Sequence, residues 1–443
     1  MNADTIRTAP VGHDPAADRP PRPSLGDGFL RVHGWLLLGY ALLGRWFAYL
    51  GIGSLYVGEI VLALGLATVA LSYSAVKVLR APAAWLLAVF MVWGGIRTMP
   101  YIQAYGVDAL RDAAIWGYGL FALIIGGLVT ARPERLVTLL QRYRRFVVIF
   151  LCLAPVVYFV AWYGTDALGA LGLDPRRRVK ASDVMVHLVG VGAFMAVGLG
   201  KRSLARLLVI ALMVLMAGTA SRGSLLAFAG ALGAVAVLTP ASRRFWTAAV
   251  ALGAVLVVLA ITDFRLGGLR REASVRQLGT NLASVVGGEE GELEGTRAWR
   301  LLWWRDIVGY TVSGDYRWTG KGYGVNLADE DGFQVADGTL RSPHNGHLTI
   351  LARSGVPGLL LWLLAQAAWV AMVYRAFKDS RNAGARTWSA IFVFLLAYWV
   401  AFMVTGAFDV FLEGPMGGIW FWSVYGAGLG AARAYHDAPH ILS

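Results

Sequence analysis

Apolar residues in this chain come in blocks rather than at a helical or strand period. From Trp35 onward, runs of about 20 apolar residues recur, parted by short polar segments. A run of about 20 residues crosses a hydrocarbon layer roughly 30 Å thick. The pattern predicts twelve spans: residues 34–53, 55–76, 82–96, 113–130, 146–163, 184–200, 204–220, 224–239, 246–262, 356–374, 388–407 and 416–432. Two features break the rhythm. A long polar segment runs from about Asp263 to Arg341, and a short apolar stretch, Pro343–Arg353, is separated from the tenth span by Ser354-Gly355-Val356-Pro357-Gly358. The blocks predict an all-α polytopic membrane protein of about twelve helices with one large, partly helical external loop. Its expected parts are a cytoplasmic tail (1–30), helices one to nine (31–262), the external loop with interfacial helices (263–355), helices ten to twelve (356–433) and a second tail (434–443). Residues 1–30, rich in Pro, Asp and Arg, are expected to be disordered, with no cleavable signal peptide.

Composition narrows the class. The 443 residues are 57% hydrophobic and 15% charged, with mean hydropathy +0.58. Soluble domains carry about 25% charged residues, so a soluble enzyme, a coiled coil and a secreted disulfide scaffold are excluded. The single cysteine, Cys152, lies in an apolar run and can form no internal disulfide.

The formal net charge of +13 is topological. With the N-terminus inside, the segments assigned to the cytoplasm hold 21 of the 40 Lys and Arg but 7 of the 27 Asp and Glu. That excess accounts for essentially all of the net charge, as the positive-inside rule expects, and a nucleic-acid partner is unnecessary. Both termini are therefore expected in the cytoplasm and residues 263–341 outside. The external side is neutral in sum yet carries basic groups with no topogenic reason: Arg176-Arg177-Arg178-Val179-Lys180, then Arg265, Arg270, Arg271 and Arg276, then Arg297, Arg300 and Arg305. Balanced by Glu289, Glu290, Glu292 and Glu294 they would be a solvated loop. As a cationic face they would hold an anionic substrate such as a lipid-linked phosphate.

Three external places hold polar residues at unusual positions. Ser221-Arg222-Gly223-Ser224 joins two spans, so Arg222 sits at the outer boundary, either snorkelling or paired. In Gly295–Arg305, with Thr296 as a possible N-cap, Trp299 and Trp303 share a face at i and i+4, which suits a helix lying at headgroup depth. In Arg341-Ser342-Pro343-His344-Asn345-Gly346-His347, Ser then Pro reads as a helix start. His344 would then fall in the first turn, where the helix dipole suits an uncharged base and free N–H groups meet an anion.

His344-Asn345-Gly346-His347-Leu348, followed by Gly355-Val356-Pro357-Gly358 opening a span, resembles the signature of the O-antigen ligase and polymerase superfamily. Ser221-Arg222, Arg297 with Trp304, and Thr319-Gly320-Lys321-Gly322-Tyr323-Gly324 also look like that family, in the same order over roughly residues 180–430. The resemblance implies a GT-C-like membrane enzyme of the bacterial inner membrane. Such an enzyme moves a glycan from a polyprenyl-pyrophosphate carrier to an acceptor hydroxyl with inversion, and requires no metal or nucleotide. Carried onto this chain, Arg222 and Arg297 would clamp the pyrophosphate and His344 would accept the hydroxyl proton. Arg300, Arg341, Asn345, His347, Lys180 and Arg178 are further candidates for donor or glycan contacts. Asp183 and His187 could bind sugar. Asp329-Glu330-Asp331 reads better as solvated loop than as a metal site.

Three rivals stay open. A polymerase of the same superfamily would use a second lipid-linked glycan as acceptor. A transporter would place charges at midspan, often in repeats; here midspan charges are nearly absent and no repeat is detected. A metal-dependent transferase could use Glu59, Asp108 and Asp112.

Overall fold

A computed structural model describes residues 24–53, 55–72, 78–164, 169, 172, 174, 178–239, 292–335 and 338–442. The side chains of Tyr163, Arg222 and residues 292–297 lie outside the described set. So do the predicted span 246–262, the tail residues 1–23, the loop arginines from 265 to 276, Glu289 and Glu290, and Arg176 and Arg177.

The described residues are helical nearly throughout. Helix α1 (Leu25–Leu43) begins earlier than the apolar run suggests. Asp27 accepts from the backbone N and Oγ of Ser24 (3.1 and 2.8 Å) and from Arg135 Nε (2.8 Å), which closes the first turn. The expectation of disorder over residues 1–30 is thus corrected from Leu25 onward. A two-residue antiparallel ladder, Gly51–Ile52 with Leu55–Tyr56, turns the chain into α2 (Val57–Ser72). There follow α3 (Pro82–Tyr105), α4 (Ala114–Ala131), α5 (Glu134–Tyr163), α6 (Ala181–Ala196), α7 (Leu204–Gly218) and α8 (Arg222–Leu238). Beyond the undescribed stretch come α9 (Glu292–Val308), α10 (Gly346–Asn382), α11 (Arg386–Gly406) and α12 (Pro415–Asp437).

Among the described residues, α3, α4, α5, α10 and α11 are long and apolar enough to cross a membrane, while α2, α6, α7 and α8 are apolar but shorter. The protein is a multi-pass helical membrane protein. Its helices meet through small residues and aromatic rings. A Cβ on Gly426 of α12 would lie 2.5 Å from the carbonyl oxygen of Ala122 in α4, a backbone approach that only glycine permits. Trp362, Phe421, Trp422 and Tyr425 fill the space between α10 and α12 with ring centroids 4.8–6.4 Å apart.

Helix α10 is two helices in line. Gly355 interrupts it with φ 67° and ψ −172°, and Val356 N donates to the carbonyl of Arg317 (2.8 Å). A Cβ at Gly355 would sit 2.6 Å from that carbonyl, so the break requires glycine. Pro357 then opens the second segment, where its missing N–H costs nothing.

Trp303 and Ile307 of α9, Leu327 and Ala328, and Leu351 and Ala352 of α10 pack together as a small second core on the bundle. This corrects the expected headgroup anchor. Trp303 is fully buried, stacked on Phe333 at 5.3 Å, and donates to Asp331 Oδ2 at 2.6 Å. The outward face of α9 carries Leu301 and Leu302 instead. Asp331 is likewise no solvated loop residue: Lys321 Nζ lies 2.6 Å from it, with the carboxylate only 3% exposed.

Candidate functional site

The loop Ala407–Gly414, between α11 and α12, is where the separated polar segments converge. A Cβ on Gly223, one residue into α8, would lie 2.7 Å from Phe408 Cβ. Ser221 caps that helix, its Oγ accepting from Ser224 N (3.4 Å). The N-terminus of α8, with Arg222 as its first residue, therefore abuts this loop. From α9, Arg300 Nη1 donates to the carbonyl of Phe408 (3.3 Å), and Trp304 Nε1 donates to the carbonyl of Pro343 (2.9 Å). Arg297 lies one turn before Arg300 on the same helix. The side chains of Arg222 and Arg297 lie outside the described residues.

Asp409 is the centre of the convergence and was not singled out by the sequence. Lys180 Nζ approaches Oδ1 at 3.1 Å, Ser182 Oγ donates to Oδ2 at 2.6 Å, and His344 Nδ1 lies 3.9 Å from Oδ1. Burial pushes the carboxyl up. The charge of Lys180 and the groups of His344, Ser182 and Lys180 outweigh burial and hold it well below the usual carboxylate range. Asp409 is thus a fixed anion beside an imidazole. A signal existed in the sequence, since Asp409 and Glu413 are acidic residues in a short link between two apolar spans.

His344 does not sit in the first helical turn. Ser342-Pro343 is not the helix start: Asn345 is the N-cap, its side chain accepting from His347 N and Leu348 N at 3.1 Å each. Asn345 outcompetes Ser342 because its carbonyl reaches both orphan donors at once. His344 is the residue before the cap. Its φ of 54° makes it the one non-glycine residue with positive φ among those described, a conformation that costs free energy.

The remaining candidates divide. Arg300 stays near the site: burial lowers its guanidinium while Asp409 opposes the shift, and its Nε has no partner among the described residues. Lys180 is paired with Asp409, and Arg178 stacks over the Trp162 ring at 3.8 Å. His347 is built into the bundle, its Nδ1 accepting from Trp362 Nε1 (3.2 Å) and its Nε2 donating to the carbonyl of Met403 (3.0 Å). His187 lies in the aromatic core with Nδ1 2.9 Å from Tyr398 OH, while Asp183 is buried with Oδ2 unpartnered among the described residues. Arg341 is not free: it faces Asp108 (3.3 Å) and Asp112 (3.0 Å).

The glycines of Thr319–Gly324 prove architectural. Gly320, Gly322 and Gly324 all have positive φ. A Cβ on Gly324 would lie 2.6 Å from Tyr105, and one on Gly322 would enter the Tyr101 ring. The strap is threaded between α3 and α10, where Lys321 N and Gly322 N donate to the carbonyls of Ala352 and Arg353 (2.7 and 3.0 Å).

As a chemical arrangement, the site offers an imidazole backed by a carboxylate, cationic groups around it, and a helix N-terminus. It suits deprotonation of a hydroxyl beside an anion. Residues 207–363 match the model of one known family, described as O-antigen ligase. No curated protein matches the chain.

Proposed function

We propose, for a chain that belongs through residues 207–363 to the O-antigen ligase superfamily, an inverting, metal-independent glycosyl transfer from a polyprenyl-pyrophosphate carrier to an acceptor hydroxyl. His344 Nδ1 faces Asp409, which leaves Nε2 as the base. The acceptor oxygen attacks the anomeric carbon, its proton passes to Nε2, and the bond to the pyrophosphate breaks with both electrons leaving on that group. Asp409 stabilises the imidazolium that forms, as a carboxylate behind a histidine does in hydrolytic triads. Arg222, Arg297 and Arg300 receive the charge that develops on the pyrophosphate, with bidentate geometry that lysine lacks.

The observation that carries the reading is the convergence on Phe408–Asp409 of His344, Arg300 and the start of α8. Of the carboxylates a metal-dependent transferase would have used, Asp108 and Asp112 are engaged by Arg341 and Glu59 accepts from Tyr118 OH (2.6 Å), which favours fixed cations as the phosphate ligands. The lipid-borne donor places the reaction at the external boundary of the bacterial inner membrane, with both termini cytoplasmic and membrane lipids around the bundle.

Purified protein in nanodiscs, incubated with a polyprenyl-pyrophosphate glycan and candidate acceptors, tests the reading. His344→Ala is expected to abolish transfer while donor binding persists. Arg222→Lys and Arg297→Lys are expected to slow transfer more than charge retention would allow, and near-normal rates in both would remove the clamp. One transfer per acceptor indicates ligation; a ladder of chain lengths indicates polymerisation.

A further inference from the structure

Arg341 lies three residues before His344, where a second phosphate ligand would be convenient. Its guanidinium is otherwise employed. Nη2 donates to Asp112 Oδ2 (3.0 Å) and to the carbonyl of Gly324 (2.9 Å), while Nη1 meets Asp108 Oδ2 (3.3 Å). The same Asp112 oxygen accepts Gly324 N (3.0 Å) and pairs with Arg353 Nη2 (2.9 Å). Arg353 Nη1 in turn donates to the carbonyls of Gly322 and Val325. One carboxylate therefore gathers the segment before His344, the glycine strap and the first half of α10. Arg353 and Asp112 are almost fully shielded from solvent, their side chains 2% and 9% exposed.

We propose that Arg341 is a positioning residue, tied to Asp112, that holds His344 in its left-handed backbone conformation opposite Asp409. This rests on the glycosyl-transfer reading above. The positive φ of His344 persists only if its flanks are fixed, and both are. Arg341 anchors one side to Asp112, at the end of the short helix Val107–Asp112. On the other side Asn345 caps α10, and Thr349 Oγ1 donates to Glu413 (2.8 Å), four residues after Asp409. With the Arg341 anchor cut, residues 341–344 can relax towards ordinary backbone, and the base leaves its place beside Asp409. A displacement of about 1 Å at a catalytic group is enough to cost on the order of 100-fold in rate.

The test compares Arg341→Gln, Asp112→Asn and the double variant in full-length protein in nanodiscs, using a polyprenyl-pyrophosphate glycan as donor. A positioning role predicts that each single variant lowers kcat roughly 10- to 100-fold with donor KM within about twofold of wild type. The double variant is then slower than Asp112→Asn alone by no more than the several-fold carried by the remaining Asp108 and Gly324 contacts, well short of the product of the two single losses. A phosphate ligand at Arg341 predicts the reverse, a donor KM raised about tenfold or more by Arg341→Gln and unmoved by Asp112→Asn. Losses that multiply in the double variant also overturn the proposal. Should Asp112→Asn fail to fold, Asp108→Asn is the milder probe. It removes the longer, partly exposed contact and is expected to lower kcat several-fold at unchanged Tm; unchanged kcat counts against the tether. A wild-type protein that transfers no glycan sinks the underlying reading and this proposal together, whereas wild-type turnover preserved in every variant sinks this proposal alone.

Discussion

Asp409→Asn separates charge from shape at the site. The side chain keeps its size, but its single oxygen can accept from Ser182 or from Lys180 and not from both, and the anion facing His344 is gone. At the observed 3.9 Å separation, an imidazolium and a carboxylate attract by about 4 kcal/mol at an effective dielectric constant near 20. The two side chains are 30% and 19% exposed, and Lys180 at 3.1 Å offsets part of the negative charge. Roughly half of the attraction, about 2 kcal/mol, is then available to the transition state. Asp409→Asn should accordingly lower kcat about 30-fold, at about 1.4 kcal/mol per factor of ten. Donor KM should stay near wild type, since the attraction arises only once His344 takes the proton. Single-turnover transfer from a polyprenyl-pyrophosphate glycan, read between pH 6 and 8, measures this directly. Asp409 is held well below the usual carboxylate range, so the wild-type carboxylate stays ionised across that window. A variant within twofold of wild type, in the same preparation where His344→Ala is inactive, would refute the argument.

Glu413 offers a pH-dependent test of opposite sign to Asp409. Its burial raises the carboxyl above the usual range, against opposing hydrogen bonds from Ser342 and Thr349 and the charge of Arg353. A raised folded-state value contributes stability below the ordinary glutamate value of about 4.3, and that stability is lost as pH climbs through the folded value. Glu413→Gln should therefore raise Tm at pH 7 and leave it near wild type at pH 4; equal shifts at both pH values would contradict the burial argument. Asp409, depressed instead, contributes stability above about pH 4 and loses it only as pH falls lower, so it does not mask the effect. Gly322→Ala and Gly338→Ala share a positive φ, yet only Gly322 faces a ring, Gly338 having open space. The first should cost several °C more in Tm than the second, about 2 kcal/mol beyond the shared strain, and similar losses would mean the strap is looser than it looks. His347→Gln should lower Tm by removing the link between Trp362 and Met403, while transfer stays measurable, unlike His344→Ala; complete inactivation at normal Tm would make His347 part of the chemistry.

Much of the fold could be read from residues close together in sequence. Helices occupy most of the predicted spans that fall within the described residues, because a 20-residue apolar block has few other ways to satisfy its backbone in a membrane. The first span, 34–53, is the exception, its helix ending at Leu43 before a turn and a short ladder. Ser221 caps the helix that starts at Arg222, its hydroxyl reaching the N–H three residues on, a local signal that the reading of Ser221–Ser224 as a link between spans passes over. The Ser354–Gly358 interruption was visible as a glycine and a proline at the edge of an apolar run, and the chain does break at Gly355. Local rules failed where two local solutions competed. Ser342-Pro343 and Asn345 are both good helix starts, and the choice fell to the side chain able to satisfy two amides at once.

What sequence alone determined is the class of molecule, the helical state of most apolar blocks and the break at Gly355. The tertiary structure decided which polar residues face one another. The i, i+4 spacing of Trp299 and Trp303 places them on one face of a helix, but only packing against Phe333 and Asp331 turns that face inward. Arg341 looked like an available cation until Asp108 and Asp112, more than 200 positions earlier, came within reach. Asp409 acquired its meaning from Lys180 and His344 in the same way. A charge's role depends on the few ångströms around it, and those are filled here by segments whose separation along the chain carries no information about their distance in space.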